Sequence, residues 1–553
     1  MLAARIDRLT AAEKELLRQL SVIGRQFPVS LVHAVVSQTE DELQQILASL
    51  QAKEFLYEQP AFPESEYLFK HALTQDVADG TVLQEQRKAL HERTGEAIEA
   101  LYKEKLDEHY SELAHHYSQS DNTEKAVEYL RRAGEYAARH SAHAEAVRSF
   151  TKVLSLLRTL PATRERQQHE LSLQFALGNS LNATQGYVAA EVERAYLRTK
   201  ELCAQSEDES QRCLVLGGLS VFHAVHANFV AAQEEAEESL LLAESLQDPP
   251  LLLGVYHKLG EILYWRGFFT SARAQLEQGA ALYRTHESHS TASLFGQDAG
   301  LDCLSRRALT LWHLGYPAQA QQQSEEALGL AQAQGDALSL ASTLGIGLHV
   351  AKHQQDVPTT QAWGSELRKV AVEHGFPGWS LMTDIYQDWV AVKQGQQEAG
   401  IQQIREARTV IRTFGVELLR SPALYLLADA YGQASQAEQG LTVLAEALTI
   451  ADTTGERAWE ADYYRLKGAL LLQLSMDHQA EAEGSFLKAI EISQHQHAKS
   501  WEPRTATSLA RLWQGQGKRA EARELLAPVY NWFTEGFDTA DLKDAKALLS
   551  ELS

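Results

Sequence analysis

The chain has little cysteine and no long apolar run. Its three cysteines, Cys203, Cys213 and Cys303, form an odd and sparse set without the spacing of metal ligands. Such a set predicts a reducing compartment and no disulfide framework. No apolar stretch approaches the roughly twenty residues that a membrane helix needs, and residues 1–8 carry charges where a signal peptide would be apolar. The expected location is therefore the cytoplasm.

Positive charge is also in short supply. The sequence has 51 Lys and Arg residues against 74 Asp and Glu residues, a formal net charge of −23. Proteins that bind nucleic acid use clustered Lys and Arg to replace the counterions of the phosphates. Anionic membrane surfaces attract the same kind of cluster. The charge balance therefore argues against both a nucleic acid and a membrane as partners.

The residues that are present favour helix. Only 12 of the 553 residues are proline, and Ala, Leu, Gln and Glu dominate. These four types have high intrinsic helix propensity. A chain of this length exceeds a single hydrophobic core, so several domains or a repeat array are expected. We predict an all-α chain, with one exception near its start.

The exception is a pair of aromatic-rich runs, residues 55–58 and 67–70, separated by the turn-rich residues 59–65. This pattern predicts a β-hairpin. Three helices are predicted before it: one from Thr10 to about Val22, a short one from Leu31 to Val36, and a third from Glu40 to about Gln51. Thr10 and Glu13 have the spacing of a capping box, and Thr39 caps the third helix. Three helices followed by a hairpin is the order of a winged helix.

Beyond about residue 105 the sequence repeats. Each unit has a small residue, a larger one four positions later and a small one three positions after that, where two helices can cross closely. The clearest copies are Ala126-Leu130-Ala133, Ala272-Leu276-Gly279, Ala320-Ser324-Ala327, Gly440-Leu444-Ala447 and Ala522-Leu526-Val529. Most copies lie roughly 40 residues apart, a period typical of helical-hairpin solenoids. We predict a tetratricopeptide-like superhelical solenoid of about eleven hairpins over residues 105–553, after a winged-helix-like domain (1–75) and a connecting helix (76–104).

No motif for catalysis or metal binding is found in the sequence. Neither a G-x4-G-K-[ST] phosphate loop nor H-E-x-x-H nor G-x-S-x-G occurs. Residues 515–519 are interpreted as a hairpin turn. The histidine pairs His223/His226 and His140/His143 lack a third ligand nearby. We therefore predict no catalytic residues, no cofactor and no metal.

Two aromatic strings, residues 264–269 and 311–316, fall at the end of a first helix and its turn. They either pack under the turn between helices or form a groove for a ligand or peptide, because aromatic side chains supply rigid contact area. By repeat register, the first helix of each hairpin lines the concave face. The partner-binding residues predicted on it are His257, Glu261, Tyr264, Asp302, Ser305, Trp312, Tyr425 and Asp429.

Segments at both ends of the chain carry a family resemblance. Residues 20–28, 55–58, 67–75 and 87–91, and near the other end residues 506–513, 525–530 and 532–543, resemble the region that follows the nucleotide-binding domain in bacterial STAND-type signalling ATPases. These proteins are often fused to class III adenylate/guanylate cyclase domains. Their layout resembles that of the maltose-responsive activators: ATPase, winged helix, then a repeat sensor. The middle of the chain matches more loosely.

The resemblance implies a non-catalytic sensor or scaffold region of a bacterial signalling protein. Its solenoid groove would bind a protein or small-molecule partner and relay the signal to an ATPase or cyclase module absent from this chain. The alternative is an incomplete piece of an ATP-binding signalling enzyme, an ATPase or a nucleotidyl cyclase. The third helix opens with three carboxylates, Glu40, Asp41 and Glu42. Because these would repel phosphates, the winged helix is expected to be a structural hinge rather than a DNA reader.

Overall fold

A computed structural model describes residues 2–60, 65–140, 142–185, 189–285 and 298–553. The chain divides into two compact units. The first contains the residues up to Gln185 together with Ala190–Leu202, and the second contains Cys203–Ser553. Both units are mostly helical, which confirms the predicted fold class. Among the described residues, no helix has the length and apolar character required to cross a bilayer.

The start of the first unit combines helices with a small sheet. The helices are α1 (Leu2–Asp7), α2 (Ala11–Ile23), α3 (Val29–Val35) and α4 (Glu40–Ala52), and the strands are β1 (Gln26–Pro28), β2 (Leu56–Gln59) and β3 (Glu66–Phe69). β3 lies in the centre and pairs antiparallel with both other strands. Phe27 and Phe69 contact edge to face in the core beneath the sheet.

Local sequence signals in this region are confirmed. The Thr10–Glu13 capping box at the start of α2 is formed in both directions, and Thr39 with Glu42 forms a second one on α4. The hairpin is β2–β3, although residues 61–64 of its turn lie outside the described residues. β1 was not predicted, because three residues ending in proline carry no strand periodicity. The winged-helix assignment and the three domain boundaries stay predictions.

The rest of the first unit is helical. Its helices are α5 (Ala72–Asp79), α6 (Gln84–Leu101), α7 (Tyr110–Gln119), α8 (Thr123–Arg139), α9 (His143–Leu157), α10 (Arg164–Gln185) and α11 (Ala190–Cys203). Consecutive helices from α6 to α10 pack against one another. Apolar residues of α6 to α9 belong to the same hydrophobic core as those of α2, α3 and the sheet. The first unit therefore has one continuous core.

The second unit is a series of helical hairpins. Its helices are α12 (Glu209–Val225), α13 (Phe229–Leu246), α14 (Pro249–Trp265), α15 (Phe269–Thr285), α16 (Ala299–His313), α17 (Pro317–Gln334), α18 (Ala337–His353), α19 (Val357–Glu373), α20 (Pro377–Lys393), α21 (Gln397–Phe414), α22 (Arg420–Gln433), α23 (Ala437–Thr454), α24 (Glu460–Leu474), α25 (Gln479–His495), α26 (Trp501–Gly515), α27 (Arg519–Asn531) and α28 (Ala540–Glu551). The first helices of successive hairpins, from α12 through α26 to α28, stack on one another. This alternation is the arrangement of a tetratricopeptide-like solenoid.

The small residues of the repeat pattern lie at the helix crossings. Ala126, Ala272, Ala320 and Ala522 are buried, and each lies early in the second helix of its hairpin. At the α14–α15 crossing, a Cβ on Gly260 would lie 2.6 Å from the Cγ of Leu276. The crossing therefore has no room for a larger side chain.

Replacing Ala272 with leucine is expected to lower the free energy of unfolding by about 1–3 kcal/mol, because the extra atoms overpack the crossing. Repeat arrays are held by interfaces between neighbours, so the loss should extend to the hairpins next to α14–α15. Thermal unfolding measures the effect, with Ser271→Leu at the exposed neighbouring position as control. An Ala272→Leu variant with wild-type stability would show that the repeat register is wrong.

Turns early in the second unit contact segments far along the chain. The backbone N–H groups of Arg457 and Ala458 donate to the carbonyl of Trp265, at 2.8 and 3.1 Å. The backbone N–H of Ser500 likewise donates to the carbonyl of His313, at 3.2 Å. A Cβ on Gly315, whose φ is +92°, would lie 2.5 Å from the ring of Trp532. The array therefore closes on itself within this unit, and the closure covers side chains of the first helices.

Candidate functional site

A cleft of about 240 Å³ lies among the first helices of the later hairpins. Its walls are formed by α18, α20, α22, α24, α26 and α28 of the second unit. The residues that line it are Lys352, Gln355, Trp389, Lys393, Tyr425, Asp429, Arg465, Arg504, Thr507, Ser508, Arg511, Asp541 and Asp544. Most of these side chains are charged, so this small volume contrasts with the apolar core around it.

Carboxylates pair with most of the cations in the cleft. The guanidinium of Arg504 donates from Nε and Nη2 to the two carboxylate oxygens of Asp541, at 2.9 and 2.7 Å. Arg511 and Asp544 form a second two-pronged pair at the exposed rim. Lys393 Nζ lies 3.6 Å from Asp429. The two arginine pairs are geometrically fixed, because two parallel N–H bonds hold both partners in one orientation.

Asp462 is the most deeply buried carboxylate of this region. It is 1% exposed, pairs with Arg465, and accepts a hydrogen bond from the hydroxyl of Tyr425. Arg504 Nη1 lies 3.7 Å from its second oxygen. Burial alone would raise the pKa of Asp462, but the charges of Arg465 and Arg504 outweigh it and hold the pKa well below its usual range. Asp462 is therefore a buried anion that organises the cations around it.

Lys352 differs from the other cations. It is 4% exposed, and its Nζ has no hydrogen-bond partner within the part of the chain that the structure describes. The ammonium lies 4.5 Å from the ring centroids of both Tyr425 and Trp459. Burial lowers the pKa of Lys352 to about 7. A buried amine without a partner is costly to the fold, so fold stability does not account for it.

Three of the predicted site residues come together in a different place. His257 Nε2 lies 3.4 Å from Asp302 Oδ2 and 3.8 Å from Glu261 Oε2. Arg306 pairs with Glu261 at 2.6 Å, and Ser342 donates to Asp302 at 2.6 Å. Burial lowers the pKa of His257 and raises that of Asp302, so desolvation disfavours an ion pair between these two. His257 and Asp302 of this network are buried, and the side chains of Glu261 and Arg306 are 16% and 14% exposed.

Three other predicted residues, Ser305, Tyr264 and Trp312, are buried in contacts of the fold. Ser305 donates to the carbonyl of Leu301 in its own helix, at 2.9 Å. Tyr264 is 1% exposed and packs edge to face against Trp265 and His313. The hydroxyl of Ser305 therefore bonds within its own helix and the ring of Tyr264 packs against other aromatic rings, and neither lines an open groove in this structure.

The placement of Trp312 requires a correction. The repeat register predicts the ring on an open concave wall, but Trp312 is 2% exposed. The ring stacks on His353 at 4.6 Å and meets Trp501 edge to face at 4.8 Å. The Ser500 hydroxyl donates to the carbonyl of Trp312. A segment nearly 190 residues later in the chain covers Trp312, so its ring offers no face to a partner. Of the two roles predicted for residues 311–316, packing under the turn between helices agrees better with the structure.

Tyr425 and Asp429 are the predicted residues that line the cleft. Tyr425 is buried, with its ring under the Lys352 ammonium. The side chain of Asp429 is 19% exposed and accepts a hydrogen bond from Gln433 Nε2 at 2.8 Å. Whether either residue contacts a partner stays a prediction. Their position makes them the members of the predicted set that an incoming ligand could reach.

Sequence reasoning missed the cations of the cleft. Charged residues recur roughly every 40 residues at Lys352, Lys393, Asp429, Arg465, Arg504 and Asp541. This is the period of the array, so the recurrence was a usable signal. The recurrence did not indicate a cleft, because charged residues on helices are usually solvent-exposed. The signal becomes clear only when the first helices are known to face one another.

A larger cavity of about 730 Å³ opens where the turn after α14 meets the end of α25. Its charged lining residues are already paired with each other or with neighbours: Arg457 with Glu460, and Lys488 with Glu491. Arg266 donates to Gln233 at 2.5 Å. Among the described residues, no three His, Cys, Asp or Glu side chains converge as a metal site. The smaller cleft is therefore the stronger candidate.

Replacing His353 with phenylalanine is expected to make the protein less sensitive to acid. Both ring nitrogens of His353 lack a hydrogen-bond partner among the described residues, and burial holds its pKa well below the usual value. The unfolded chain gains a proton on this histidine below about pH 6.5 while the folded chain does not, so stability is lost as the pH falls. Each pH unit below that value costs up to about 1.4 kcal/mol.

Between pH 7 and pH 5, the free energy of unfolding of the variant should therefore fall by about 2 kcal/mol less than that of the wild type. Denaturant unfolding at the two pH values measures the difference. The ring packing against Trp312 should survive, because phenylalanine has nearly the same shape. His374→Gln, at an exposed histidine, is the control and should change the acid sensitivity little. An unaltered pH dependence in His353→Phe would contradict the assignment of a neutral buried imidazole.

Comparison with known proteins supports the fold. No protein-family model matches the chain. An uncharacterized protein of Rhizobium meliloti (strain 1021) is 22% identical over 517 residues, which cover 93% of this chain and 50% of that protein. The chain therefore spans about half the length of this curated relative. The matching region of the longer protein takes in nearly all of the present sequence.

Among solved structures, a Rap protein complexed with competence and sporulation factor is similar, with a TM-score of 0.52 and 12% identity, over 67% of this chain and 98% of that chain. A STAND protein with a tetratricopeptide repeat sensor from Pyrococcus horikoshii gives a TM-score of 0.40 and 12% identity, over 90% of this chain and 66% of that one. At these identities the likeness to the Rap protein concerns the fold alone. This chain is a tetratricopeptide-like helical repeat protein.

Proposed function

We propose that the chain is the non-catalytic sensor or scaffold region of a signalling protein, and that it binds a protein or small-molecule partner in the cleft of its second unit. The observation that carries the proposal is the convergence of charged side chains from six first helices on one small volume. Buried charges are costly to stability and cluster at functional sites. A solenoid core that served only to stabilise the fold would have apolar side chains in this volume.

The relay to an ATPase or cyclase module is the second part of the proposal. It rests on the resemblance of both ends of the chain to the region that follows the ATPase domain in STAND-type proteins. The length of the Rhizobium relative is compatible with it, because the matched region makes up 50% of that protein. In this proposal the winged-helix-like start of the chain transmits the bound state of the array to the missing module.

The purified chain is expected to show neither ATP hydrolysis nor cyclic nucleotide synthesis above a blank. The physical reason is that the sequence has no glycine-rich loop ending in Lys-Ser/Thr, whose backbone N–H groups would hold the phosphates. Phosphate release and cyclic nucleotide assays measure the two activities. A clear rate that one substitution in this chain abolishes would favour the alternative, a piece of an ATP-binding signalling enzyme.

Charge reversal at the rim of the cleft tests partner binding. Arg511 is exposed at the rim, whereas Arg523 is exposed on α27, outside the residues that line the cleft. Partners recovered with the wild-type chain from its native cells should be depleted severalfold with Arg511→Glu and retained with Arg523→Glu. Quantitative mass spectrometry compares the two. If both variants recover the same proteins and ligands as the wild type, the cleft is not the binding site.

A further inference from the structure

We infer that the cleft contains a carboxylate-binding subsite at Lys352, which pairs with a single negative charge on the ligand. The inference rests on the proposed function, since it specifies what the same cleft takes. Lys352 lines the cavity, and its ammonium has no hydrogen-bond partner among the described residues. A carboxylate entering the cleft would supply the partner that the fold does not.

The other cations that line the cleft already have carboxylate partners and would have to give them up to bind a ligand. Arg504 and Arg511 are held by two-pronged bonds to Asp541 and Asp544. Arg465 pairs with the buried Asp462. Lys393 lies against Asp429 and also over the ring of Trp389, 5.5 Å from its centroid. A ligand would have to displace a carboxylate from each of these residues, whereas at Lys352 it displaces none.

Charge balance selects the kind of anion. The five cations that line the cleft face four carboxylates, counting the buried Asp462, so a protonated Lys352 leaves an excess of one positive charge. A monoanion neutralises this excess. A dianion such as sulfate would leave a net negative charge in a buried site close to Asp429 and Asp462, where like charges repel strongly. The excess therefore fits a carboxylate better than a dianion.

The aromatic rings beside Lys352 support the same choice. The ammonium lies over the faces of Tyr425 and Trp459, which partly compensate its charge without occupying its hydrogen-bond donors. Lysine acts as a point charge with three rotatable donors. These donors can turn from the rings toward a ligand oxygen with a small movement of the side chain. The subsite is thus preorganised around an amine that is not yet bonded.

Binding should be coupled to protonation of Lys352. The titratable groups that face this amine are Asp429 on α22, Asp462 on α24, Arg504 on α26 and Lys393 on α20, together with His313 on α16 and with His349 and His353 on its own helix. Burial lowers the pKa of Lys352 to about 7 in the free protein, and a bound carboxylate would raise it. Affinity for the anion should fall about tenfold for each pH unit above that value.

Acetate is the probe for the subsite. Replacing sodium chloride with sodium acetate at constant ionic strength should raise the melting temperature of the full chain by a few degrees at about pH 6. The increase should disappear in Lys352→Met and persist in Lys467→Met, a matched substitution of a paired lysine on α24 that does not line the cleft. In the wild type it should shrink at about pH 8. Equal acetate effects in Lys352→Met and the wild type would overturn the inference.

Further probes distinguish the sources of the carboxylate. N-acetylalanine imitates a peptide chain end, and its amide has the same size without the charge. Stronger stabilisation by N-acetylalanine than by acetate indicates a chain end, and similar stabilisation by both indicates any accessible carboxylate. Equal stabilisation by the amide, or a stronger effect of sulfate that depends on Lys352, overturns the inference, because sulfate is a dianion at this pH. If Lys352→Met does not fold, the pH dependence of the wild-type effect decides, since an unchanged effect at both pH values contradicts it.

Failure of the inference can be told apart from failure of the proposed function. If acetate has no effect but Arg511→Glu still depletes the partner, the cleft binds its partner without a carboxylate at Lys352. If the rim variant also leaves partner recovery unchanged, the proposed function fails as well.

Discussion

Replacing Asp462 with asparagine is expected to lower the free energy of unfolding by about 3–5 kcal/mol at neutral pH. The substitution keeps the shape of the side chain but removes its charge from a site that is 1% exposed. Arg465 then loses its carboxylate, and no other ion pair of Arg465 is found in the described residues. An uncompensated guanidinium on a side chain that is only 14% exposed is costly, because it cannot shed its proton.

The matched control for this change is Asp544→Asn. Asp544 pairs with Arg511 in the same two-pronged way, but both side chains are about half exposed. Exposed ion pairs contribute at most about 1 kcal/mol, because water solvates the charges after the pair is broken. Denaturant unfolding of both variants measures the contrast. Equal and small losses of unfolding free energy in the two variants would contradict the view that Asp462 organises a buried charge network.

Replacing Trp501 with alanine is expected to lower the free energy of unfolding by about 3–5 kcal/mol. Trp501 is 1% exposed and contacts His353 at 5.2 Å and His313 at 5.7 Å, in addition to Trp312. The guanidinium of Arg504 lies 5.1 Å from its ring centroid. Removing the ring leaves a cavity and weakens the contact between the start of α26 and the turn after α16.

The location of the damage is as informative as its size. Hydrogen exchange in the Trp501→Ala variant should speed up in residues 312–316 and 265–268, because these turns bond to the segments that lead into α26 and α24. Leu487→Ala on α25 is the control, since that side chain is 46% exposed and its removal should cost much less. Faster exchange confined to α26 and its neighbours in sequence would argue that the array does not close on itself.

Features that depend on neighbours in sequence could be predicted. The capping box of Thr10 and Glu13, the β2–β3 hairpin and the small residue at Ala272 follow from local propensity and from the period of the repeat. Each of these signals concerns contacts within one helix pair or one turn. The physical causes act over a few residues, so the sequence pattern is sufficient to show them.

The closure of the second unit could not be predicted, and the errors at the site follow from that. The bonds from Ser500 to Trp312 and His313 join positions nearly 190 residues apart, and no periodicity reports them. In a single hairpin considered alone, the ring of Trp312 would lie on the exposed face of the first helix. Only the stacked array shows that later hairpins cover that ring. The same closure brings Lys352, Asp462 and Arg504 together.

The measurement that tests the central claim most directly is site-specific photocrosslinking in the native cell. A benzophenone amino acid at Ser508, which lines the cleft, should capture the partner covalently in the full chain. The same amino acid at Gly484, an exposed position on α25 with open space around it, should capture none of it. Capture at Ser508 that Arg511→Glu abolishes is the predicted result. Capture of the partner at Gly484, with none at Ser508, would contradict the account.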